Sequence, residues 1–471
     1  MKKILAVLMM GILVSGASAW GSGLSIPEQG SAAMGMSAAM TARNEDLSAI
    51  YYNPAGLDYV QGFEIMVGDT PIIPRHKFIP YIDEQDIFDK AETKSTVFLP
   101  PQLYAAWRMN STMVLGVGVN APFGLGTDWD DDTWTGRYNS TYAEITLINV
   151  NPTFTWIPTD VVSVGVGMSY AISTATIEKM IDTGASISPA LMANTNYDSN
   201  FGLEGDGTGY GFNFGVLYKP RLSNYQLGLS YRSAMDIEYE GTAKFTHQET
   251  NIKNAVAASA MAGGADAATA ALMAEGAYAQ IAGMMPPDQD GTATMHLPWI
   301  LSAGLKSQMS EVWDVSADIN VVGWKVYENL TIDFADDKPS DEIVQDKDWG
   351  NSIVLRTGTS YVLNDRWTVR GGIMYDFNPV PRETFDSQLP DSDRYGLSVG
   401  TGYQLGNIRL DASYLFLKFR MREKDNAVGW STDTTGDGIV DRFDVPANYP
   451  LANGKYKSLA HLVSLSMSYQ F

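Results

Sequence analysis

The chain holds 471 residues, among them 44 Gly, 24 Tyr and 11 Trp, with no Cys and only 18% charged residues. The absence of cysteine excludes a disulfide framework, and a formal charge of −22 argues against nucleic acid as a partner. Such acidity suits either loops facing a lipid surface bridged by divalent cations or a plain solvated surface.

Residues 1–19 read as a secretory signal peptide: Lys2 and Lys3, an apolar run from Ile4 to Val14, then Ala17-Ser18-Ala19 as a cleavage site. That run is short of the ~20 residues a spanning helix needs, and no later stretch supplies them. The mature chain is expected to begin near Trp20, and loss of the two lysines takes its charge to −24. Residues 20–61 alternate too little to make strands. Within them, Asn44 to Leu57 (NEDLSAIYYNPAGL) is polar at its start, and Pro54 and Gly56 stop a helix or strand from running through.

From residue 62 onward the dominant signal is period two. Val162, Val164, Val166, Met168, Tyr170 and Ile172 alternate with Ser163, Gly165, Gly167, Ser169 and Ala171, and the pattern recurs over 210–218, 225–233, 313–321, 353–363, 367–377, 395–405, 408–416 and 459–471. Short turns fall at Met109–Thr112, Pro158–Asp160, Pro220–Asn224, Gln308–Glu311, Leu363–Arg366 and Leu405–Asn407, with long loops between them. Strands of ~9 to 11 residues with one apolar and one polar face, joined by alternating short turns and long loops, predict an all-β membrane protein. The expected fold is an antiparallel transmembrane β-barrel of about fourteen strands in the Gram-negative outer membrane. Trp107, Trp156, Trp313 and Trp367 lie near the short turns, where a periplasmic aromatic girdle belongs. Phe471 closes an alternating last strand.

Strand parity places Glu64, Arg108, Arg232, Lys306, Asp314, Asp318, Arg356, Arg370, Asp376, Arg394, Arg409 and Asp411 in the lumen. Counting from the turns sets Arg108, Lys306, Arg370 and Arg409 low, within reach of Glu45 and Asp46, and lets Asp318 pair with Arg356. Residues 250–285, rich in Ala and Met, predict two helices divided at Gly263-Gly264. Asp433 to Asp444 has calcium-loop spacing, with Asp433, Thr435, Asp437, the Ile439 carbonyl, Asp441 and Asp444 as ligands and Gly438 at the turn. It departs from the EF-hand pattern at Thr435 and Asp444, and an Asp/Gly-rich loop without an ion fits it too. No other cofactor is expected. The four histidines give no hydrolytic constellation: His76 and His247 are read as loop residues, His461 as facing lipid, and only His296 as inward. An enzyme is therefore disfavoured.

SIPEQGSAAMGMSAAMTARNEDLSAIYYNPAGL (Ser25–Leu57), NAPFGLGTDW (Asn120–Trp129), LPWILSAGL (Leu297–Leu305) and YDFNPVPRETFDSQLPDSDRYGLSVGTGY (Tyr375–Tyr403) together resemble the long-chain fatty acid transporter (FadL) family of outer-membrane proteins. The resemblance implies a fourteen-stranded barrel (62–471) plugged by a small N-terminal hatch (20–61), in which Asn53, Pro54 and Ala55 match the hatch motif. It implies capture of a hydrophobic compound in outer loops, transfer to a lumenal pocket, and release sideways into outer-membrane lipid at a kink in the third strand. Here Gly116, Gly118, Pro122 and Gly124 are the candidate weak points, although the glycines also suit close packing of hatch on wall. Met261, Met273, Met284 and Met285 would line the outer groove opposite Phe201 and Leu203 in the loop before the sixth strand, unless the two helices are only a hairpin packed on its neighbours. Arg232, Lys306 or Arg356 would neutralise a substrate carboxylate, unless these charges only stabilise a wet interior. Fatty acids are the expected substrate of a monomeric transporter, with aromatic hydrocarbons, or a general porin, as alternatives.

Overall fold

The computed structural model describes residues 23–81, 90–129, 134–284, 288–334, 342–428 and 452–471. The signal-peptide expectation, Met285 and the loop from Asp433 to Asp444 lie outside these residues.

Fourteen strand passages form the wall. They are β1 (Phe63–Asp69, continued by Ile72–Pro80), β2 (Pro101–Asn110), β3 (Met113–Asn120, continued by Gly124–Asp128), β4 (Tyr142–Thr159), β5 (Val162–Ile181) and β6 (Ser199–Tyr218). Next come β7 (Tyr225–Arg232, continued by Met235–Thr246), β8 (Asp288–Leu297, continued by Ile300–Ser310), β9 (Trp313–Val322, continued by Asn329–Phe334) and β10 (Glu342–Asp346, continued by Ser352–Val362). The last four are β11 (Trp367–Asp376), β12 (Arg394–Leu405), β13 (Ile408–Phe419) and β14 (Gly454–Gln470). Every neighbouring pair is antiparallel, and Val67 of β1 stands opposite both Leu103 of β2 and Met467 of β14, so the sheet closes on itself. Closure leaves no unpaired edge in hydrocarbon.

The alternation that forms each strand also fixes its facing. On β5, Val166, Met168 and Ile172 are exposed on the outer face, while Ser163, Ser169 and Ala171 are buried within. Trp107, Trp156, Trp313 and Trp367 are all about half exposed near the short turns, the position of an interfacial girdle.

Several strands break partway up. The interruptions hold Thr70-Pro71, Ala121-Pro122-Phe123, Ser233-Ala234 and Pro298-Trp299, and proline, lacking an N–H, cannot continue a ladder. Parity shifts at the last three, whereas β1 keeps its parity, Met66 below its interruption and His76 and Phe78 above it all facing inward. Below the break in β7, Leu227 and Leu229 face outward; above it, Asp236, Glu238 and Glu240 do, so the apolar belt ends near that level. The shift corrects the expectation for His296, whose Nδ1 lies 2.6 Å from the exposed Asp236 carboxylate on the outer face. His76 likewise lies in β1 rather than in a loop. Phe201 and Leu203 belong to β6 itself, not to the loop before it.

Residues 23–60 run inside this wall, and nearly all are buried. They form only short turns, Ser31–Met34, Ala49–Tyr52 and Pro54–Tyr59, because glycines and Pro54 interrupt longer helices. Asn53 caps the last of these, its Oδ1 accepting from the Ala55 N–H at 3.1 Å. Backbone touches wall where the strands carry glycine. A Cβ on Gly215 would strike Asn53, and one on Gly165 would strike Pro54 and Ala55.

Candidate substrate path

The lower end of the internal segment is held by charge. Arg43, 1% exposed, donates to Asp314 at 2.6 Å and Ser316 at 2.6 Å and pairs with Glu45. Lys306 reaches Glu45 at 3.5 Å, and Arg409 donates to the Glu45 carbonyl oxygen at 2.9 Å and stands 3.9 Å from Asp46. Burial pushes Glu45 up, but Arg43 and Lys306 outweigh it and hold the carboxyl well below the usual range. Arg108 donates to the Asp58 and Val60 carbonyl oxygens, and Lys219 pairs with Asp58. Arg370 is committed to Asp411 at 2.9 Å, so it holds the segment only indirectly, through Arg409 on the same carboxylate. Lys306 is an anchor, not a free cation.

Higher up, two other cations stand differently. Arg232 donates to the Tyr51 carbonyl oxygen at 3.0 Å and Ser169 Oγ at 3.5 Å; Arg356 donates to the Ser37 carbonyl oxygen at 2.9 Å and Asn320 at 3.2 Å. Among the described residues neither forms a salt bridge. The expected Asp318–Arg356 pair is replaced by Asp318 accepting from the Thr41 N–H at 2.7 Å, since the internal backbone takes the carboxylate. Arg232 and Arg356 both line a chamber of ≈ 50 Å³ with Tyr51, Ser230, Ser302 and Asn320.

A larger cavity of ≈ 380 Å³ adjoins it and shares Ser25 in its lining. Its walls are mostly apolar, including Phe98, Ile145, Leu147, Leu417 and Phe419. This cavity abuts the break in β3. Below the break, Val119 still pairs with Leu103 of β2. Above it, Gly124–Asp128 pairs on its other side with β4, and β2 no longer follows. The vacated edge is taken by the internal segment: the Ile26 N–H donates to the Pro122 carbonyl oxygen at 2.8 Å, and the Gly124 N–H to the Leu24 carbonyl oxygen at 3.0 Å. The Phe98 ring lies across Gly126, where no side chain would fit, and Val97 and Leu99 beside it are exposed.

Of the four expected weak points, Pro122 and Gly124 lie at this break. Gly116 and Gly118 lie lower and seat the internal segment, a Cβ on either falling 2.9 Å from Leu57 or Ile50. The outer helices are Glu249–Ala262 and Ala267–Met284. Met261 and Met273 on them are exposed, whereas Phe201 is buried against Phe245 with ring centroids 5.1 Å apart. Neither methionine lines the chamber or the larger cavity, while Leu203 lines a small apolar one with Ile145 and Tyr239.

Sequence reasoning missed Ser25, Glu28 and Phe98. Glu28 is 4% exposed and lines the larger cavity, and its Oε1 has no hydrogen-bond partner; Ser25 Oγ has none either. Burial pushes the Glu28 carboxyl up, against the pull of Arg356 and Arg394. The available signal was a carboxylate set among apolar and small residues in SIPEQGSAAM. Asp391, also at the cavity, is pushed up to about 6 by burial and accepts from the Gly23 N–H at 3.2 Å.

A closed barrel with an apolar outer belt, an obstructed lumen and apolar internal cavities defines an outer-membrane channel for hydrophobic compounds. Residues 12–471 match the outer membrane protein transport protein family (OMPP1/FadL/TodX), and the chain belongs to it. It is 23% identical over 448 residues to a long-chain fatty acid transport protein of Escherichia coli, covering 92% of this chain and 95% of that one. In fold it is similar to a FadL homologue of Pseudomonas aeruginosa (TM-score 0.74, 18% identity, 96% of this chain and 100% of that one). A toluene transporter of Pseudomonas putida, TodX, is also similar (TM-score 0.65, 16% identity, 96% and 99%). The protein thus resides in the Gram-negative outer membrane and transports hydrophobic compounds; members of its family are transporters or channels, not enzymes.

Proposed function

We propose that this protein takes up long-chain fatty acids, binding the carboxylate between Arg232 and Arg356 and releasing the chain sideways into the outer membrane at the break in β3. The supporting observation is that pair of buried guanidiniums, without carboxylate partners among the described residues, on the wall of a chamber. A buried cation is costly unless a counter-ion joins it, and a substrate carboxylate supplies one through charge-assisted hydrogen bonds. An aromatic hydrocarbon, as in the toluene transporter, would leave both charges uncompensated.

The tail follows by hydrophobicity. Each CH₂ gains ~0.8 kcal/mol on leaving water, so the apolar cavity that shares Ser25 with the chamber is its resting place. The break opens that cavity toward lipid, and residues 23–60 serve as the hatch that closes the lumen to small solutes. A general porin would require an open lumen. The experiment is uptake of oleate and toluene by cells carrying Arg232→Ala or Arg356→Ala. Oleate uptake should fall and toluene uptake should hold; oleate uptake equal to that of the parent in both variants would dismiss the carboxylate site.

A further inference from the structure

We propose that the preferred substrate is a hydroxylated long-chain acid, its hydroxyl held between Ser25 and Glu28 while its carboxylate sits at Arg232 and Arg356. This rests on the carboxylate site proposed above and adds a second polar position along the chain.

Most polar groups of the larger cavity are already engaged. Arg394 donates to Asp376 at 3.0 Å, His76 Nδ1 meets Ser458 Oγ at 2.7 Å, Thr127 donates to the Gln388 carbonyl oxygen at 2.9 Å, and Asp391 holds the Gly23 N–H. Ser25 Oγ and Glu28 Oε1 stand apart, because both are buried in the same short segment and neither has a partner. Buried polar groups without partners are rare in folded proteins. A ligand hydroxyl fits this pair in kind: it accepts one hydrogen bond from the Ser25 hydroxyl and donates one to the Glu28 carboxyl. Its place along the chain also follows, because Ser25 lines both the arginine chamber and the apolar cavity. The hydroxyl therefore falls partway along the molecule, with apolar carbon on both sides. An unsubstituted chain would pass the same point and leave both groups unsatisfied.

The test is binding of oleate and of acids of the same length hydroxylated at successive mid-chain carbons, measured by calorimetry on the full-length protein in detergent. One hydroxyl position is expected to bind about tenfold tighter than oleate, the worth of one well-made hydrogen bond in a dry site. The ratio should fall to about one in Glu28→Leu and in Ser25→Ala. Equal affinities across the series in the parent protein would overturn the proposal even if Ser25→Ala or Glu28→Leu failed to fold, as would a preference that persists in both variants. If neither oleate nor any hydroxy acid binds, the carboxylate site itself fails. If all bind alike and Arg232→Ala weakens all, only the hydroxyl site fails.

Discussion

The Arg232 guanidinium lies 4.8 Å from the centroid of the Tyr51 ring and donates to the Tyr51 carbonyl oxygen at 3.0 Å. One contact is with a π face and the other with a neutral carbonyl, so the charge is solvated by dipoles rather than balanced by an anion. Tyr51 belongs to the internal segment and Arg232 to the wall, so the segment supplies two of the contacts that hold the cation in place.

A site kept in that state costs stability. Replacing Arg232 with Met removes a buried, unbalanced charge while keeping side-chain volume, and we expect the barrel to become more stable by about 1 to 3 kcal/mol. Oleate affinity should fall in the same variant by about tenfold or more. Urea unfolding in detergent, with and without oleate, reads both; a variant less stable than its parent would show that Arg232 has a structural rather than a substrate-binding role.

Arg43 presents the opposite case. Its removal leaves Asp314, 8% exposed, and the nearby Glu45 without their principal partner. Breaking a buried pair by deleting one side costs about 3 to 5 kcal/mol. Because Arg43 joins the internal segment to β9, this loss should loosen the segment and spare the wall. Arg43→Ala is expected to leak small ions in planar-bilayer recordings while retaining heat-resistant barrel mobility on gels. Conductance as low as the parent's would argue that the segment is not the lumen's seal.

The same anchor sets a pH dependence. The Glu45 carboxyl is held well below its ordinary value in the folded protein. A depressed carboxyl contributes stability that is present above the unfolded pKa of about 4.3 and is lost as pH falls toward the folded value. The anchor should thus be at full strength from about pH 5 upward and weaken below about pH 4. With 37% of the Glu45 side chain exposed the effect is modest. Comparing unfolding of the parent and of Glu45→Gln between about pH 2 and 7 isolates it: the gap between them should close on acidification, and a constant gap would contradict the assignment.

These residues also show how much of the fold is legible in the sequence. Period two and the short turns gave the strand count, and parity placed all twelve lumenal charges inward, because each strand repeats its own local rule. Parity failed where the chain leaves that rule. Pro298-Trp299 shifts β8, and His296 consequently emerges outside. Partner choice was not legible either: the Thr41 N–H that takes Asp318 lies 277 residues away, and no spacing within β9 records it. Lys306 and Arg356 look alike as inward cations on neighbouring parts of the wall. Only the position of Glu45 makes one an anchor and leaves the other facing a chamber.

The lateral route can be tested by closing it. Ser25 and Phe123 are antiparallel bridge partners across the break in β3, and Cα atoms in such pairs lie ~4.5 to 5.5 Å apart, within the span of a disulfide. The chain has no cysteine of its own, so Ser25→Cys with Phe123→Cys would form a single bond free of competing thiols. That bond would hold the internal segment on the edge that β2 vacates. If the substrate leaves through this break, oxidised cells should take up oleate far more slowly than reduced ones. Each single-cysteine variant controls for the loss of its own side chain. Uptake that is equal in the oxidised and reduced double variant, with the bond verified by mass, would place the exit elsewhere in the wall.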